Sequence, residues 1–271
     1  MRLLTLNTHS LEQEQMDEKQ KIFADAIPGL DPDVMGLQEV NQTMSAKPVE
    51  VPEGFHILND QVILREDNHA LKVFELLNKE KLVYECWWLP IKIGYSKYDE
   101  GLAIFSKKPA LKAWSIQLSP IDDYSDYHTR KALAIQTEDG IFASVHMGWW
   151  KDGFKDQWAM LKQAFDPEAQ VYLMGDFNAD ASIRNEGYDL MISDGWFDLF
   201  ENAKQKDDGF TVVESIDGWK DQSHSDQMRL DYILSSKPVQ VDLMRTIFSG
   251  KQEPVISDHF GLFAILTPLN A

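Results

Sequence analysis

The sequence has a single cysteine and no long apolar run. Cys86 cannot form a disulfide within the chain, which is typical of a protein kept in a reducing compartment. No window approaches the roughly 18 uninterrupted apolar residues of a membrane-spanning helix. Residues 1–7 become polar too early for the apolar part of a signal peptide. We therefore expect a cytoplasmic protein that begins at Met1 and does not engage a membrane.

Basic residues are also scarce. Lys and Arg number 26 against 44 Asp and Glu, which gives a net charge of −18. A protein that binds a nucleic acid duplex must neutralise several phosphates, and most of its affinity comes from the release of counterions. The charge balance therefore disfavours nucleic acid as a partner, although a basic patch or bound divalent cations could reverse the field on one face.

The chain has no repeat, no low-complexity tract and no linker rich in Gly, Pro or Ser. At roughly 150 residues per average domain, 271 residues allow one large domain or two small ones. Hydrophobic residues make up 44% and charged residues 26%, a composition typical of a globular protein with a sizeable core. We expect one catalytic domain over residues 1–271.

Short β-rich segments recur along the chain and alternate in places with helical spacing. Helices are predicted at 18–27, ending before Pro28, and at 70–82, with Asn68 as the N-cap. Several connections between strands are too short for a crossover helix, which predicts mixed, largely antiparallel sheets. The predicted strands are residues 3–7, 34–38, 83–88, 102–106, 114–118, 132–136, 142–146, 171–175, 230–235 and 261–266.

Four polar residues follow hydrophobic runs, at the point where a strand should end: Asn7, Glu39, His146 and Asp176. Each run delivers one functional group to its carboxyl end. Mg²⁺ prefers oxygen ligands and takes one or two carboxylates together with water and substrate phosphate. Glu39, with help from Asn7, could supply those ligands. The chain has no cluster of cysteines, so a structural zinc site is excluded.

Five motifs occur in one order: Leu-Thr-Leu-Asn at 4–7, Asp-Val-Met-Gly-Leu-Gln-Glu-Val at 33–40, Gly-Asp-Phe-Asn at 175–178, Arg-Leu-Asp-Tyr-Ile at 229–233 and Ser-Asp-His at 257–259. Together they resemble the motif set of the endonuclease/exonuclease/phosphatase superfamily, which includes DNase I, exonuclease III, neutral sphingomyelinases and inositol polyphosphate 5-phosphatases. Each motif alone is weak evidence, and an ordinary turn or surface pair would explain it. The resemblance implies a four-layer α/β sandwich, with two mixed sheets face to face and helices outside.

The resemblance also implies a metal site. Glu39 would be the principal ligand with Asn7 beside it, and Asp258 would support the metal or its waters. Mg²⁺ is the expected cofactor, with Mn²⁺ as a possible substitute. The metal would neutralise charge that grows on the phosphoryl oxygens during hydrolysis.

By the same resemblance, Asp176 and Asn178 orient and deprotonate the attacking water. His259 would donate to a phosphate oxygen, and Asp231 would bind its other ring nitrogen and fix the tautomer. His146 stands where DNase I-like and sphingomyelinase-like relatives carry a histidine that protonates the leaving oxygen.

Glu100 resembles the acidic partner of that histidine, which argues against an abasic-site nuclease of the exonuclease III type. Arg130 stands where relatives place an arginine near the phosphate, and a guanidinium suits bidentate binding of phosphate oxygens. Cys86 is expected to be a core residue, and structural roles are expected for four further histidines: His56, His69, His128 and His224.

Aromatic residues near these positions suggest a small, rigid substrate, because indole and phenol rings cover the apolar face of a sugar or a base. The candidate substrate-binding residues are Trp149 and Trp150 after His146, Tyr98 before Glu100, and Trp219 in the polar segment 214–228. The adjacent pair Trp87 and Trp88 could equally belong to the core.

Four functions remain open from the sequence. A phosphatase acting on a small phosphorylated sugar fits the acidic charge and the aromatic loops. Three segments, at 4–10, 98–103 and 145–150, also resemble the maltose 6'-phosphate phosphatases of Gram-positive bacteria. The alternatives are a DNase I-like endonuclease, which would want a cationic groove, a sphingomyelinase-like phosphodiesterase, which would want export and a hydrophobic hairpin, and a binding module without activity. The complete set of acid, base and metal residues speaks against the last.

Overall fold

The computed structural model describes residues 1–59, 61–214, 219 and 227–267. The four α-helices of these residues are α1 (Met16–Leu30), α2 (His69–Lys79), α3 (Phe154–Gln163) and α4 (Gly187–Ser193). The fourteen strands of these residues are β1 (Arg2–Asn7), β2 (Val34–Thr43), β3 (Phe55–Ile57), β4 (Glu85–Gly94), β5 (Tyr98–Ser106), β6 (Lys112–Gln117), β7 (Lys131–Thr137), β8 (Gly140–His146), β9 (Val171–Asp176), β10 (Phe197–Asp198), β11 (Ala203–Lys206), β12 (Asp231–Ser235), β13 (Gln240–Ile247) and β14 (Gly261–Thr267). Short 3₁₀ helices cover Ser10–Glu12 and Trp150–Asp152.

The strands form two mixed sheets. The first has eight strands in the order β11-β13-β14-β1-β2-β5-β4-β3, and the second has six in the order β10-β12-β9-β8-β7-β6. Most neighbours are antiparallel, and the parallel pairs are β1 with β2, β3 with β4, β11 with β13, and β8 with β9. The prediction of two mixed, largely antiparallel sheets is therefore confirmed.

Three apolar layers separate four layers of secondary structure. Successive side chains of β1 point into different layers. Leu4 packs toward helices α1 and α2, whereas Leu3 packs between the sheets with Phe142 of β8. A third cluster joins the six-stranded sheet to α3 and α4, with Trp158 and Met191 at its centre. This arrangement is the four-layer α/β sandwich expected from the sequence.

A buried polar link joins the two sheets near the edge where the functional side chains lie. The Gln38 side chain donates to Ser144 Oγ on the opposite sheet at 2.9 Å, and its other contact is Thr5 Oγ1 at 3.2 Å. Ser144 in turn donates to the Leu37 carbonyl at 3.0 Å. Gln38 precedes Glu39, and Ser144 lies two residues before His146. The link therefore fixes Glu39 and His146 relative to each other.

The helix boundaries differ in part from the prediction. Asn68 caps α2 as expected, because its Oδ1 accepts a hydrogen bond from the Leu71 N–H at 3.0 Å. Helix α1 continues through Pro28 to Leu30, so the predicted end before Pro28 is wrong. Proline lies in the last turn, and Asp31 then ends the helix in a left-handed conformation with φ of 51°. No helix among the described residues is long and apolar enough to cross a membrane.

His69 gives the fold a pH dependence of its own. It is buried at the start of α2, and burial lowers its pKa from 6.5 to about 4. Between about pH 6.5 and 4, His69 is therefore protonated in the unfolded chain but neutral in the folded chain. The free energy of unfolding falls as the pH drops through this interval. We expect a loss of about 2 to 3 kcal/mol from this group over that interval.

Urea unfolding of the wild type and of His69→Gln, at about pH 7 and about pH 4.5, measures this loss. The variant keeps a neutral polar side chain near Gln20, whose amide lies 3.2 Å from His69 Nδ1. The wild type should lose more stability between the two pH values than the variant does. Equal losses in the two proteins would show that His69 is not the titrating group.

Candidate active site

The strand registers bring three of the predicted side chains to one edge of the six-stranded sheet. His146 ends β8 and lies directly beside Asp176, which ends the parallel neighbour β9. Asp231 begins β12 and is paired with Asp176 from the other side. Asp176 is therefore the central carboxylate of a row of three. It is 2% exposed, which places it well below the protein surface.

Gly175 permits this close approach of β9 to β8. Its φ is 149°, and a side chain there would place a Cβ atom 2.0 Å from the Val145 carbonyl oxygen. An L-residue with a side chain would therefore push the two strands apart. After Asp176 the chain turns, and the Asn178 N–H donates to Asp176 Oδ1 at 2.8 Å. The Asn178 side chain donates to the Met147 carbonyl at 2.9 Å, which ties the turn to the end of β8.

The eight-stranded sheet contributes Asn7 and Glu39. A register shift between Leu37 and Val40 interrupts the pairing of β2 with β5, and Glu39 lies in this bulge with φ of 51°. Left-handed backbone is uncommon for a non-glycine residue and is concentrated at functional sites. The Asn7 amide then joins the two sheets, because it donates to Glu39 Oε1 at 3.0 Å and to Asp176 Oδ2 at 3.1 Å.

The two predicted histidines both face Asp176. His259 Nε2 lies 3.9 Å and His146 Nε2 3.6 Å from Asp176 Oδ2, while His259 Nδ1 binds Asp231 Oδ2 at 2.8 Å. Burial lowers the pKa of His259, but the Asp231 and Asp176 carboxylates outweigh it and raise the pKa to about 10. Burial, together with the charges of Arg130 and other cations, holds the pKa of His146 well below 6.5. At neutral pH one imidazole is therefore charged and the other is neutral.

Acidic groups accumulate on the side of the cavity formed by the eight-stranded sheet. Burial and the nearby Glu100 carboxylate raise the pKa of Glu39 to about 7, and Asp258 adds to the effect. Across the cavity, at the end of β9 in the six-stranded sheet, burial likewise raises the pKa of Asp176 to about 6. Asp258 also lies 3.2 Å from His9 Nδ1. Carboxylates crowded in this way are destabilised by one another and favour a bound cation.

The donor atoms suit a hard divalent cation. Glu39 and Asp258 offer carboxylate oxygens, the ligand type that such ions prefer, whereas Asn7 turns its NH₂ group toward Glu39 and its Oδ1 accepts a hydrogen bond from the His9 N–H at 3.1 Å. Atoms of Asp176, Asp231 and His259 also lie within 4.8 Å of one another and form a second candidate set, and Asp231 Oδ1 is buried without a hydrogen-bond partner. His259 Nδ1 is already bound to Asp231 Oδ2 at 2.8 Å, and the remaining donor of this ring is a nitrogen, whereas Glu39 and Asp258 present only oxygen atoms. The Glu39 side therefore fits the cation better.

These groups open into one cavity of about 830 Å³. It is lined by nine of the predicted site residues: Glu39, Glu100, Arg130, His146, Trp149, Asp176, Asn178, Asp258 and His259. Asn7 and Asp231 lie behind them and bind Glu39, Asp176 and His259 directly. The structure thus brings eleven of the fourteen predicted residues together, counting nine in the lining and two behind it.

Three predicted substrate-binding aromatics do not line this cavity. Tyr98 is buried, and its hydroxyl donates to the Leu11 carbonyl at 3.2 Å. Trp150 and Trp219 line a separate pocket of about 270 Å³, which also includes Trp149. The Trp219 indole reaches the site only indirectly, through a 3.2 Å hydrogen bond to Asn178 Oδ1.

The structure also differs from the predictions for Glu100 and decides the position of Trp87 and Trp88. Glu100 forms its ion pair with Lys92 at 3.2 Å, and not with His146 as the resemblance implied. The reason is that Lys92 lies opposite Glu100 in the pairing of β4 with β5. Trp87 and Trp88 are buried in the core together with Cys86, so they form no rim. His224 lies outside the described residues.

The residues of the cavity wall that sequence reasoning missed include His9, Lys92, Tyr95 and Tyr127. Lys92 did carry a signal, because it is the single basic residue of the apolar strand β4, and in the structure it is 7% exposed. Lysine is almost never fully buried without a partner. The two tyrosines carried none, because exposed aromatic residues of loops look alike in a sequence.

The fold and the groups gathered in this cavity place the protein in the class of phosphoester hydrolases. The chain belongs to the endonuclease/exonuclease/phosphatase family, whose family model matches residues 4–259. Among curated proteins, none matches the chain.

Solved structures agree with this assignment. An endonuclease/exonuclease/phosphatase family protein from Leptotrichia buccalis C-1013-b is 32% identical, with a TM-score of 0.85 and coverage of 98% of this chain and 99% of that chain. The mannosyl-6-phosphatase of Bacteroides thetaiotaomicron VPI-5482 is 17% identical, with a TM-score of 0.66 and coverage of 98% and 99%. Truncated TDP2 from Caenorhabditis elegans is 16% identical, with a TM-score of 0.59 and coverage of 98% and 96%. At these lower identities the likeness concerns the fold.

Proposed function

We propose that the protein is a Mg²⁺-dependent phosphatase that releases inorganic phosphate from a small phosphorylated sugar in the cytoplasm. The observation that carries this proposal is the meeting of a buried carboxylate, a charged imidazole and two basic side chains in one cavity with aromatic walls: Asp176, His259, Lys92 and Arg130, with Tyr95, Tyr127 and Trp149. A volume of about 830 Å³ suits a small ligand, and the aromatic walls suit a sugar ring.

In this proposal Glu39 is the principal ligand of the metal, with Asn7 and Asp258 in support. Mg²⁺, or Mn²⁺ in its place, would neutralise charge on the phosphoryl oxygens of the bound substrate. Glu39 must be ionised to bind the cation, and the cation would in turn favour the ionised form of this half-buried carboxylate.

Asp176 accepts the proton of the attacking water or aligns that water, with the Asn178 N–H holding its Oδ1 in place. With a pKa of about 6, the carboxylate is ionised for most of the population near pH 7 and above, and it is also more basic than an exposed aspartate. Both properties suit a general base. Asn7 fixes the other oxygen of the same carboxylate.

His259 donates a proton or a hydrogen bond to a phosphoryl oxygen, while Asp231 keeps its ring charged and oriented. The resemblance gave His146 the task of protonating the leaving oxygen. The positive charges near His146 favour its neutral form, so we assign it a hydrogen-bonding role and give the charged role to His259.

The shape and charge of the site favour a small substrate over nucleic acid. Among the described residues that line the cavity, two are lysine or arginine, Lys92 and Arg130. Five are acidic: Glu39, Glu100, Asp176, Glu214 and Asp258. An extended polyanion needs a row of cations along its backbone. The structural likeness to a protein named as a mannosyl-6-phosphatase supports a sugar phosphate, and maltose 6'-phosphate is our candidate from the sequence.

A panel of sugar phosphates, including maltose 6'-phosphate, tests the proposal. We expect release of inorganic phosphate that requires Mg²⁺ or Mn²⁺, stops on chelation and exceeds nicking of plasmid DNA under the same conditions.

Glu39→Gln should require a higher metal concentration for half-maximal activity, because an amide binds a hard cation more weakly than a carboxylate.

Glu12→Gln is the matched control, since Glu12 forms its ion pair with Lys97 at 2.7 Å and does not line the cavity. Its metal requirement should equal that of the wild type. Rapid cleavage of DNA without release of phosphate from any sugar phosphate would overturn the proposal in favour of a nuclease.

A further inference from the structure

Lys92 is a buried lysine whose ammonium group lies in the wall of the active-site cavity. It projects from β4, is 7% exposed, and donates to the Tyr127 carbonyl at 3.1 Å. Glu100 Oε1 lies 3.2 Å away. Gly94 leaves the space for Glu100, because a Cβ atom at that position would lie 2.4 Å from Glu100 Oε2. The strand pairing thus holds the carboxylate against the ammonium group.

Arg130 places a second cation beside the first. Both side chains line the main cavity, and together with Glu100 and His146 they enclose a void of about 10 Å³. Burial, and next the charge of Arg130, lower the pKa of Lys92, as expected for a buried cation held near a second one. The Glu100 carboxylate pairs with Lys92, and Glu39, the other carboxylate that acts on Lys92, is the proposed metal ligand. This wall therefore carries an excess positive charge that faces the substrate.

We propose that Lys92 selects phosphate monoesters over phosphate diesters by binding the second negative charge of the terminal phosphoryl group. The inference rests on the proposed function and names the feature of the substrate that the site recognises. A monoester carries a charge of about −1.5 to −2 at pH 7 and has three terminal oxygens. A diester carries a single charge, with one of those oxygens esterified. The two buried cations of Lys92 and Arg130 match the charge of the dianion.

A purely structural role for Lys92 would give a different result. In that case the ion pair would only hold Glu100 and the β4–β5 hairpin, and its loss would lower activity toward any substrate to the same extent. Lys97 provides the comparison, because it lies in the same hairpin and also pairs with a glutamate, Glu12, but outside the cavity.

The experiment compares p-nitrophenyl phosphate with methyl p-nitrophenyl phosphate, which share a leaving group and differ by one charge. For Lys92→Met we expect the ratio of kcat/KM for the monoester to kcat/KM for the diester to fall by about tenfold or more, as expected for loss of one charge-assisted contact. Inhibition by inorganic phosphate should weaken by a similar factor. Lys92→Arg should retain most of the preference, and Lys97→Met should match the wild type.

A ratio that falls less than this, with both substrates affected alike, would overturn the inference and leave the proposed function intact. If the wild type itself released no phosphate from any monoester, the proposed function would fail first. Lys92→Gln carries the same test should Lys92→Met not fold, as judged by circular dichroism and thermal unfolding.

Discussion

Replacing Asp176 with Asn should lower kcat by about 10³-fold, the largest effect that we expect from a single substitution. Asn has the same shape and can still accept the hydrogen bond from the Asn178 N–H, so the turn should remain. It has no negative charge and no basic oxygen, so it cannot take a proton from water. The change also removes one of the three carboxylates that raise the pKa of His259, the others being Asp231 and Asp258.

Steady-state phosphate release at saturating metal measures this effect. Asp180→Asn is the matched control, because Asp180 lies in the same loop, is also buried, and binds Ser182 without lining the main cavity. It should retain activity within a few-fold of the wild type. If Asp176→Asn were as active as the control, Asp176 would have no part in the chemical step, whatever its position.

The second large effect concerns His259 and Asp231, which should act as one unit. His259→Gln removes the charged ring and should lower kcat by about 10² to 10³-fold, the usual cost of losing one group that stabilises charge in a transition state. Asp231→Asn leaves the ring but removes the first carboxylate that raises its pKa, so a smaller loss is expected. The double variant should be no slower than His259→Gln alone, because Asp231 acts through the ring.

A double-mutant cycle in kcat tests this coupling. His56→Gln serves as the control, since His56 also lies near a carboxylate, Glu85 at 3.7 Å, but on the strand β3 at the far edge of the eight-stranded sheet. His56→Gln should leave kcat unchanged. Losses from His259→Gln and Asp231→Asn that simply multiply in the double variant would show two independent roles and would refute the unit.

The sequence was sufficient to place the polar residues that follow hydrophobic strands. Asn7, His146 and Asp176 end strands whose apolar residues are the strongest pattern in the chain, and strand ends share an edge of a sheet. Their convergence therefore follows from pattern and topology. Mixed, largely antiparallel sheets were predictable from the short β-rich segments and their short connections, whereas the four-layer sandwich was what the family resemblance implied.

The partner of Glu100 could not be predicted, because it depends on register. A shift between Pro90 and Lys92 in the pairing of β4 with β5 sets Lys92 opposite Glu100. A displacement of one residue would move every side chain to the other face of the sheet. Nothing local in the sequence fixes such a shift, so the resemblance to relatives supplied His146 as the partner.

The aromatic residues were the weakest part of the prediction. Tyr98 and Tyr95 are separated by two residues in one hairpin, yet Tyr95 lines the cavity, whereas Tyr98 is buried and its hydroxyl donates to the Leu11 carbonyl. Both have the same chemistry, and the difference lies in the turn, where Tyr95 adopts a φ of 49°. Tertiary geometry of this kind decides which ring meets a ligand.

The hydrogen bonds from Gln38 to Ser144 and from Asn7 to Asp176 cross the seam between the two sheets. Glu39 and Lys92 stand on one side of that seam, and His146 and Asp231 on the other. Neither sheet alone carries all the groups that the proposed mechanism requires. In the proposed mechanism, activity therefore depends on the alignment of the two sheets, so a loss of turnover would report a misaligned sandwich.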